Sequence, residues 1–172
     1  KVPGMDYIAK NGIVGTATTI PSGFTPASDV ANLSILGYDP DKYYTGRGPL
    51  EAANMGVDIK EGDVAFRCNL VTIDNDVMVD YSAGHIKDKE AAELIRALDK
   101  ELGSEKLNFY PGVSYRHLLV TRDKELAKAL LKTKAVAPHD ILNQKASKNY
   151  PKGPAGKYLV DLMEKAKEIL PH

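Results

Sequence analysis

A helical stripe of apolar residues is the clearest pattern along the chain, and it covers residues 88–102. Its apolar positions fall three or four residues apart, which places them on one face of an α-helix, and Gly103 follows as a stop signal. The same spacing predicts amphipathic helices over 123–132 and 155–170. Shorter helices are predicted over 5–11, 28–36 and 49–55.

Strands are predicted where apolar and polar residues alternate. Within 63–73, Val64 and Phe66 share one face of the predicted strand, and Arg67 and Asn69 share the other. The acidic turn at 74–76 and the apolar run over 77–81 predict the return of a hairpin. Other predicted strands cover 13–19, 106–111 and 115–121, and long loops cover 38–49 and 134–154. Hairpin-like strands with helices on one face indicate a small α+β layer.

Composition narrows the class of protein. The chain has 172 residues, of which 43% are hydrophobic, so it is long enough for one domain with a real core. Its 23 acidic and 23 basic residues cancel, which predicts no strong attraction to nucleic acid or to a membrane surface. Cys68 is the only cysteine and lies in an apolar alternation. We therefore predict a packed, unreactive thiol and a reducing, cytoplasmic location.

The segment 24–40 carries the most chemical information. Pro26 makes a turn that delivers Ser28 and Asp29 to the first turn of a predicted helix, where unpaired N–H groups favour bound anions. A serine at this place can be an N-cap, a phosphate ligand or a nucleophile, and the residues alone leave all three open. Asn32 lies one turn further along and could meet a phosphate oxygen or act as a cap.

Arginine is rare beside lysine in this chain, so an arginine away from a solvated helix face needs a reason. A guanidinium binds phosphate or carboxylate through two parallel hydrogen bonds. Arg67 shares a strand face with Asn69, and Arg116 lies next to His117 on another predicted strand. Arg47 lies in a Gly-Arg-Gly loop that a ligand could approach closely. For Arg67 and Arg116 the alternative is an ion pair with Asp or Glu.

Other charged residues have plainer interpretations. Arg96 on a helix and Arg122 after a strand are predicted to be solvated surface charges. The stretch over 145–157 carries four lysines and no acid, and it could attract an anionic substrate or simply be solvated.

No two histidines have the spacing of a metal site. His117, and His139 beside Asp140, could bind phosphate or move a proton, or they could be satisfied by ordinary hydrogen bonds. His172 is terminal and is expected to be disordered.

Four segments resemble the archaeal-type, cofactor-independent phosphoglycerate mutases, and they contain the candidate serine, arginines, asparagine and histidines discussed above. The segments are 24–52, 62–69, 112–117 and 138–140. These are metalloenzymes of the alkaline phosphatase superfamily, and the segments follow the family's order along essentially the whole chain. The resemblance implies an α/β fold that is locally α+β, with a mixed or antiparallel sheet and packed helices. It also implies that residues 1–50 belong to a phosphatase-like core with the nucleophile loop. Residues 51–172 would form a substrate-gripping insertion domain.

The resemblance further implies a reaction, the interconversion of 3-phosphoglycerate and 2-phosphoglycerate through phosphoserine. Ser28 would be the nucleophile and would bind one of two divalent metal ions, which we expect to be manganese. Most other metal ligands would lie outside this chain, and no nucleotide would be needed. Asp29 would be an acid at the helix start or a group that supports the direct ligands. The implied substrate-binding residues are Arg67, Arg116, His117, Asn69, Arg47, His139 and Asp140.

We expect this chain to be an internal piece of a longer enzyme and to be inactive by itself. The run over 12–17 has the pattern of a strand that needs neighbours. In the isolated chain the apolar face of residues 13–36 would be exposed, which favours self-association.

Two other functions stay open from the sequence. The segment could be a non-catalytic module that binds and encloses phosphoglycerate. It could also come from a relative that acts on another phosphorylated metabolite, such as the proposed homoserine kinases or phosphonopyruvate decarboxylases. The chain has no P-loop, which argues weakly against a kinase. His85 stands where the family pattern has an arginine, which weakens a ligand role for that loop.

Overall fold

The structure is a computed structural model that describes residues 2–170, so the expectation for His172 lies outside the described residues. The chain divides into two compact units, one ending at Thr45 and the other beginning at Gly46. The predicted roles of residues 1–50 as part of a phosphatase-like core and of 51–172 as an insertion domain stay predictions.

The first unit is helical where it is regular. Its helices are α1 (Pro3–Asn11), α2 (Ser28–Ile35) and α3 (Pro40–Tyr43). The predicted helices over 5–11 and 28–36 are confirmed, and Gly37 at φ +85° ends the second of them in a conformation that favours glycine. The predicted loop over 38–49 instead contains α3, because Asp39 caps it and Pro40 suits its first position.

The predicted strand over 13–19 is wrong. These residues have no regular structure, and Ile13 and Val14 are 104% and 81% exposed. A strand needs a neighbour to take up its N–H and C=O groups. Within the described part of this unit no strand is present to provide them.

The second unit is built on an antiparallel three-stranded sheet with the strand order β1-β5-β4, beside a separate two-stranded hairpin, β2-β3. The strands are β1 (Val64–Asn69), β2 (Thr72–Asp74), β3 (Val77–Asp80), β4 (Leu107–Val113) and β5 (Arg116–Thr121). The helices are α4 (Arg47–Asn54), α5 (Asp88–Leu102), α6 (Lys124–Leu131) and α7 (Gly156–Ile169), with short 3-10 turns at Pro138–Ile141 and Ser147–Asn149. The amphipathic helices predicted from the apolar stripes are thus confirmed.

The predicted strand over 63–73 is broken in two at Leu70. Its first half, β1, pairs with β5 and not with β3, and Leu70 N–H donates to the Tyr115 carbonyl oxygen at 2.9 Å, just beyond the last strand pair. Only the second half, β2, forms the predicted hairpin with β3. Asn75 and Asp76 supply its turn at φ +47° and +65°, the left-handed pair that two-residue hairpin turns require.

Helices cover both faces of the larger sheet. The sequence pattern had predicted helices on one face only. The alternation in β1 is confirmed, since Phe66 and Cys68 pack on the main core and Ala65 belongs to a second, smaller core. The main core lies against α5, α6 and α7 and is formed by buried Leu70, Ala91, Ile95, Leu98, Leu107, Phe109, Leu119, Leu130, Ala155 and Leu159. The smaller core lies against α4 and is formed by buried Ala52, Ala65, Leu118 and Val120.

The fold class is α/β, with antiparallel sheets and packed helices as expected. Burial raises the pKa of the Cys68 thiol to about 11, which fits the predicted packed and unreactive cysteine. None of the described helices combines the length and the apolar character that crossing a bilayer requires.

Candidate functional site

Ser28 is the first residue of α2, and its side chain is exposed. The residue at the N-cap position is Ala27, with φ −154° and ψ +149°, and no side chain caps this helix. The N-cap interpretation of Ser28 is therefore wrong for this structure. Ser28 therefore stands in the first turn of the helix, where the helix dipole favours negative charge.

Asp29 helps to hold the segment around Ser28. The Tyr44 hydroxyl donates to Asp29 Oδ2 at 2.6 Å, and the Tyr44 ring meets the ring of Phe24 edge to face at 5.9 Å. Asn32 is exposed one turn further along α2. The carboxylate of Asp29 thus ties the start of α2 to the chain that follows α3.

Three of the predicted substrate-binding residues share one face of the sheet. Asn69 of β1 lies opposite Arg116 of β5, and Arg67 lies opposite Leu118, so their side chains project to the same side. Arg67 Nε is 3.1 Å from Glu51 Oε1 of α4, close enough for an ion pair although the N–H does not point along a hydrogen bond. The alternative of structural pairing therefore holds for Arg67, and no local pattern pointed to Glu51 as its partner.

Asn69 and Arg116 lie opposite each other on neighbouring strands and supply a hydrogen-bond acceptor and a positive charge. Asn69 Oδ1 is buried and has no hydrogen-bond partner in the described part of the chain. Arg116 is exposed, and its guanidinium carbon lies 5.7 Å from the centre of the Tyr115 ring. A buried acceptor without a donor costs free energy, so the Asn69 oxygen suits a donor that a ligand would bring.

Aromatic contacts extend this arrangement to His139. The Tyr81 ring meets the rings of Tyr115 and His139 edge to face, at centroid distances of 6.0 and 6.3 Å. His139 Nε2 lies 3.4 Å from Asp140 Oδ1, and both side chains are more than half exposed. We call this continuous set the Arg116–His139 surface, and it is formed by Asn69, Tyr81, Tyr115, Arg116, His139 and Asp140. Sequence reasoning missed Tyr81 and Tyr115, although an aromatic residue next to Arg116 was a usable signal.

His117 does not belong to the Arg116–His139 surface. Because strand residues alternate, its ring points away from Arg116, and it is fully buried. Its Nδ1 accepts a hydrogen bond from Gly112 N–H at 3.0 Å. Burial lowers the pKa of His117 to about 4, with the Asp88 carboxylate opposing the shift, so the ring is neutral near pH 7. A contact between His117 and substrate stays a prediction that this geometry does not support.

Arg47 is the first residue of α4 and is exposed, so it lies on a helix and not in the predicted loop. The neighbouring Gly48 has a structural reason of its own. It is buried, and a Cβ there would collide with the Ala65 carbonyl oxygen. The glycine therefore allows α4 to approach β1, and the interpretation that it opens the backbone to a ligand is corrected.

The prediction of a solvated Arg122 is wrong. Its guanidinium donates to Asn108 Oδ1 at 2.6 Å and to the Tyr110 hydroxyl at 3.1 Å, and its Nε lies 3.9 Å from Asp63 Oδ2. The hydrogen bond with Tyr110 is the main reason that the pKa of Arg122 is raised. Polar residues at alternate positions of β4 were the signal for this network. Arg96 is exposed on α5, as predicted.

The loop that follows Tyr81 is held by Asp80. Its carboxylate accepts hydrogen bonds from Ser82 N–H, the Ser82 hydroxyl and Gly84 N–H at 2.6–2.7 Å. These bonds lower the pKa of Asp80, those with Ser82 most. His85 is exposed at φ +54° in this loop.

Two further expectations concern lysines and metals. The four lysines of the stretch over 145–157 are all exposed, and the last of them, Lys157, lies in α7. Within residues 2–170, no three His, Cys, Asp or Glu side chains lie together in a group that could hold a metal ion.

Comparison with known proteins places the chain among phosphoglycerate mutases. The family model described as 2,3-bisphosphoglycerate-independent phosphoglycerate mutase matches residues 9–172. A protein of that name from Methanosarcina barkeri is 54% identical over 170 residues, which is 99% of this chain and 42% of the relative. The chain thus spans less than half the length of that relative.

Two solved structures are similar to the fold. The cofactor-independent phosphoglycerate mutase from Thermoplasma acidophilum has a TM-score of 0.58 and 30% identity, over 86% of this chain and 40% of that one. A protein from Pyrococcus horikoshii has a TM-score of 0.63 and 26% identity, over all of this chain and 38% of that one.

Proposed function

The chain belongs to the 2,3-bisphosphoglycerate-independent phosphoglycerate mutase family, and we propose that the full-length protein interconverts 3-phosphoglycerate and 2-phosphoglycerate in the cytoplasm. The observation that carries the proposal is Ser28, which is exposed at the first position of α2 and is not used as a cap. A lone, partly buried cysteine supports the reducing compartment.

Ser28 would carry the phosphoryl group from one hydroxyl of glycerate to the other. The Ser28 oxygen would lose its proton and attack phosphorus, the bond between phosphorus and the glycerate oxygen would break, and the released glycerate oxygen would take up a proton. The other glycerate hydroxyl would then lose its proton and attack the phosphoserine, the bond between phosphorus and the Ser28 oxygen would break, and that oxygen would take up a proton. The group stays within one substrate molecule, so the reaction needs neither nucleotide nor bisphosphoglycerate.

Ser28 would also be one ligand of a divalent metal site, for which we propose manganese. Its exposed hydroxyl offers an oxygen ligand, which is the type of ligand atom that suits such an ion. A bound divalent ion would lower the pKa of the serine hydroxyl and make it a nucleophile. One serine cannot hold two ions, so most ligands would come from the part of the protein outside this chain.

The Arg116–His139 surface would grip the substrate. The exposed guanidinium of Arg116 can bind a carboxylate or phosphate through two hydrogen bonds. The buried Asn69 oxygen would accept a hydrogen bond from a glycerate hydroxyl. His139 and Asp140 extend the surface with further polar groups, while contacts from Arg47, Arg67 and His117 remain predictions without this support.

The test is the conversion of 3-phosphoglycerate by the full-length protein with manganese present and nucleotides absent. We compare the wild type with Ser28→Ala and with the matched control Ser22→Ala, which changes another exposed serine of the same unit. We expect activity in the wild type and the control, and a loss of at least about a thousandfold in Ser28→Ala.

Other outcomes select other functions. Equal activity in all three proteins would remove Ser28 from the mechanism. No activity in any of them, together with binding of phosphoglycerate, would favour a binding module. Turnover of another phosphorylated metabolite or of homoserine with ATP would favour the alternative enzymes.

A further inference from the structure

His117 occupies an unusual place for an imidazole. The ring is fully buried between the sheet and the main core, directly across from Cys68 of β1. Its Nε2 has no hydrogen-bond partner among residues 2–170, while Nδ1 accepts from Gly112 N–H at 3.0 Å. A buried donor without a partner is unfavourable, so retaining a histidine here needs a reason other than core packing.

That reason lies in the hairpin between β4 and β5. The pairing of the two strands shifts register between Tyr110 and Val113, so Gly112 does not take a regular place in the ladder. The imidazole supplies the acceptor that Gly112 N–H would otherwise lack. A Cβ at Gly112 would collide with the Arg116 carbonyl oxygen. Gly112 is therefore fitted closely against the backbone of Arg116 and is held there by His117.

The other side of the turn is fixed by separate contacts. Ser114, at φ +54°, donates its N–H to Asp88 Oδ1 at 2.7 Å and its hydroxyl to the Ile86 carbonyl oxygen at 3.0 Å. Leu70 N–H donates a hydrogen bond to the Tyr115 carbonyl oxygen at 2.9 Å. Residues on both sides of Arg116 are thus anchored, and His117 is the anchor that follows it in the chain.

We propose that His117 is a positioning residue that fixes the turn before β5 and thereby holds Arg116 opposite Asn69, with its guanidinium over the Tyr115 ring. The inference rests on the proposed function, in which Arg116 contacts the substrate. His117 itself would not touch the substrate, because its ring faces the core on the opposite side of the sheet from Arg116.

The test is a double-mutant cycle in the full-length enzyme, measured as KM and kcat for 3-phosphoglycerate. Arg116→Ala should raise KM at least about tenfold. His117→Leu removes the acceptor for Gly112 N–H and should raise KM about tenfold with a smaller change in kcat. In the Arg116→Ala background the same change at His117 should have almost no further effect on KM, because the two residues act as one unit.

Two companion variants separate positioning from core packing. His117→Asn places an amide oxygen near the position of Nδ1 and should restore most of the wild-type KM. Leu119→Val shortens a core residue two positions along the same strand face and should lower the melting temperature without changing KM. If His117→Leu cannot be isolated folded, His117→Gln, which moves the acceptor by one bond, takes its place with the same expected direction.

The outcomes distinguish the two proposals. If Arg116→Ala raises KM and the His117 variants do not, the positioning role of His117 is overturned, while the proposed contact between Arg116 and the substrate is supported. Additive effects of the two changes would overturn it as well. If Arg116→Ala leaves KM unchanged, both the grip and the positioning role fail.

Discussion

Arg116 and His117 show how a single residue step along a strand changes the surroundings of a side chain. Asn69 projects beside Arg116, where its buried oxygen suits a hydrogen bond from a ligand. His117 follows Arg116 immediately and faces the core, where burial keeps its ring neutral. Under the proposed function, adjacent residues of one strand would therefore serve binding and architecture separately.

At the residue scale, stability should depend on pH through His117. Its pKa is about 4 in the folded chain and 6.5 in the reference state, so the unfolded chain binds more protons between these values. Stability is therefore fully present above about pH 6.5 and falls as the pH decreases toward 4, by up to about 3 kcal/mol. Urea unfolding of the wild type and of His117→Asn across this range measures the difference.

The comparison isolates His117 from the acidic side chains. Hydrogen bonds hold the pKa values of Asp76, Asp80 and Asp123 below 3.8, so these carboxylates lose their stabilising bonds below this pH window. The free energy of unfolding of His117→Asn should change less between pH 6.5 and 4 than that of the wild type. Parallel pH profiles for the two proteins would contradict the assignment.

Some residue roles were readable from the sequence and others were not. The alternation in β1 placed Arg67 and Asn69 on one face, because a strand has a period of two. The ion pair of Arg67 with Glu51 depends on how α4 crosses the sheet, which local periodicity does not contain. Arg122 was assigned wrongly for the same kind of reason, since its partner Asp63 lies far away in sequence.

At the scale of elements, the contact between α4 and β1 depends on the absence of a side chain at Gly48. A methyl group there would meet the Ala65 carbonyl oxygen and push the helix away from the sheet. We expect Gly48→Ala to lower the free energy of unfolding by about 1–3 kcal/mol, as overpacking typically does. Gly15→Ala, where nothing lies within 4 Å of an added Cβ, is the matched control. Equal stabilities of the two variants in urea would show that α4 accommodates the methyl group.

Helices were predicted better than strands at this scale. The apolar stripe of α5 contains the information for its own burial, and the predicted bounds 88–102 match the structure. A strand requires a partner, so the alternation over 63–73 could not reveal that β1 pairs with β5, which follows in the chain only after β2, β3, α5 and β4. For 13–19 an apolar pattern without a neighbouring strand left the chain irregular.

At the scale of the whole molecule, the first unit exposes much apolar surface. Ile13, Val14, Ile35 and Leu36 are each at least 68% exposed. Exposed apolar surface of this kind favours association, so light scattering of the isolated chain should show a mass that rises with concentration. Replacing Ile13 and Leu36 by serine should reduce this rise. A monomer at high concentration in the unsubstituted chain would contradict the expectation.

The family could be recognised from the sequence because its segments occur in order along the chain, and the comparisons confirm it. The complete active site could not, because this chain covers about 42% of its relatives' length. The proposed metal ligands other than Ser28 and the proposed order of events at Ser28 can be tested only in the longer protein.

The most direct test of the central claim is to trap the phosphoryl group on Ser28. Full-length enzyme turning over 3-phosphoglycerate with manganese and without nucleotide is quenched rapidly in acid, and the peptide that contains Ser28 is analysed by mass spectrometry. The account predicts phosphoserine at Ser28 during turnover and none in Ser28→Ala. Sustained turnover with a phosphoryl group on another residue, or on none, would contradict it.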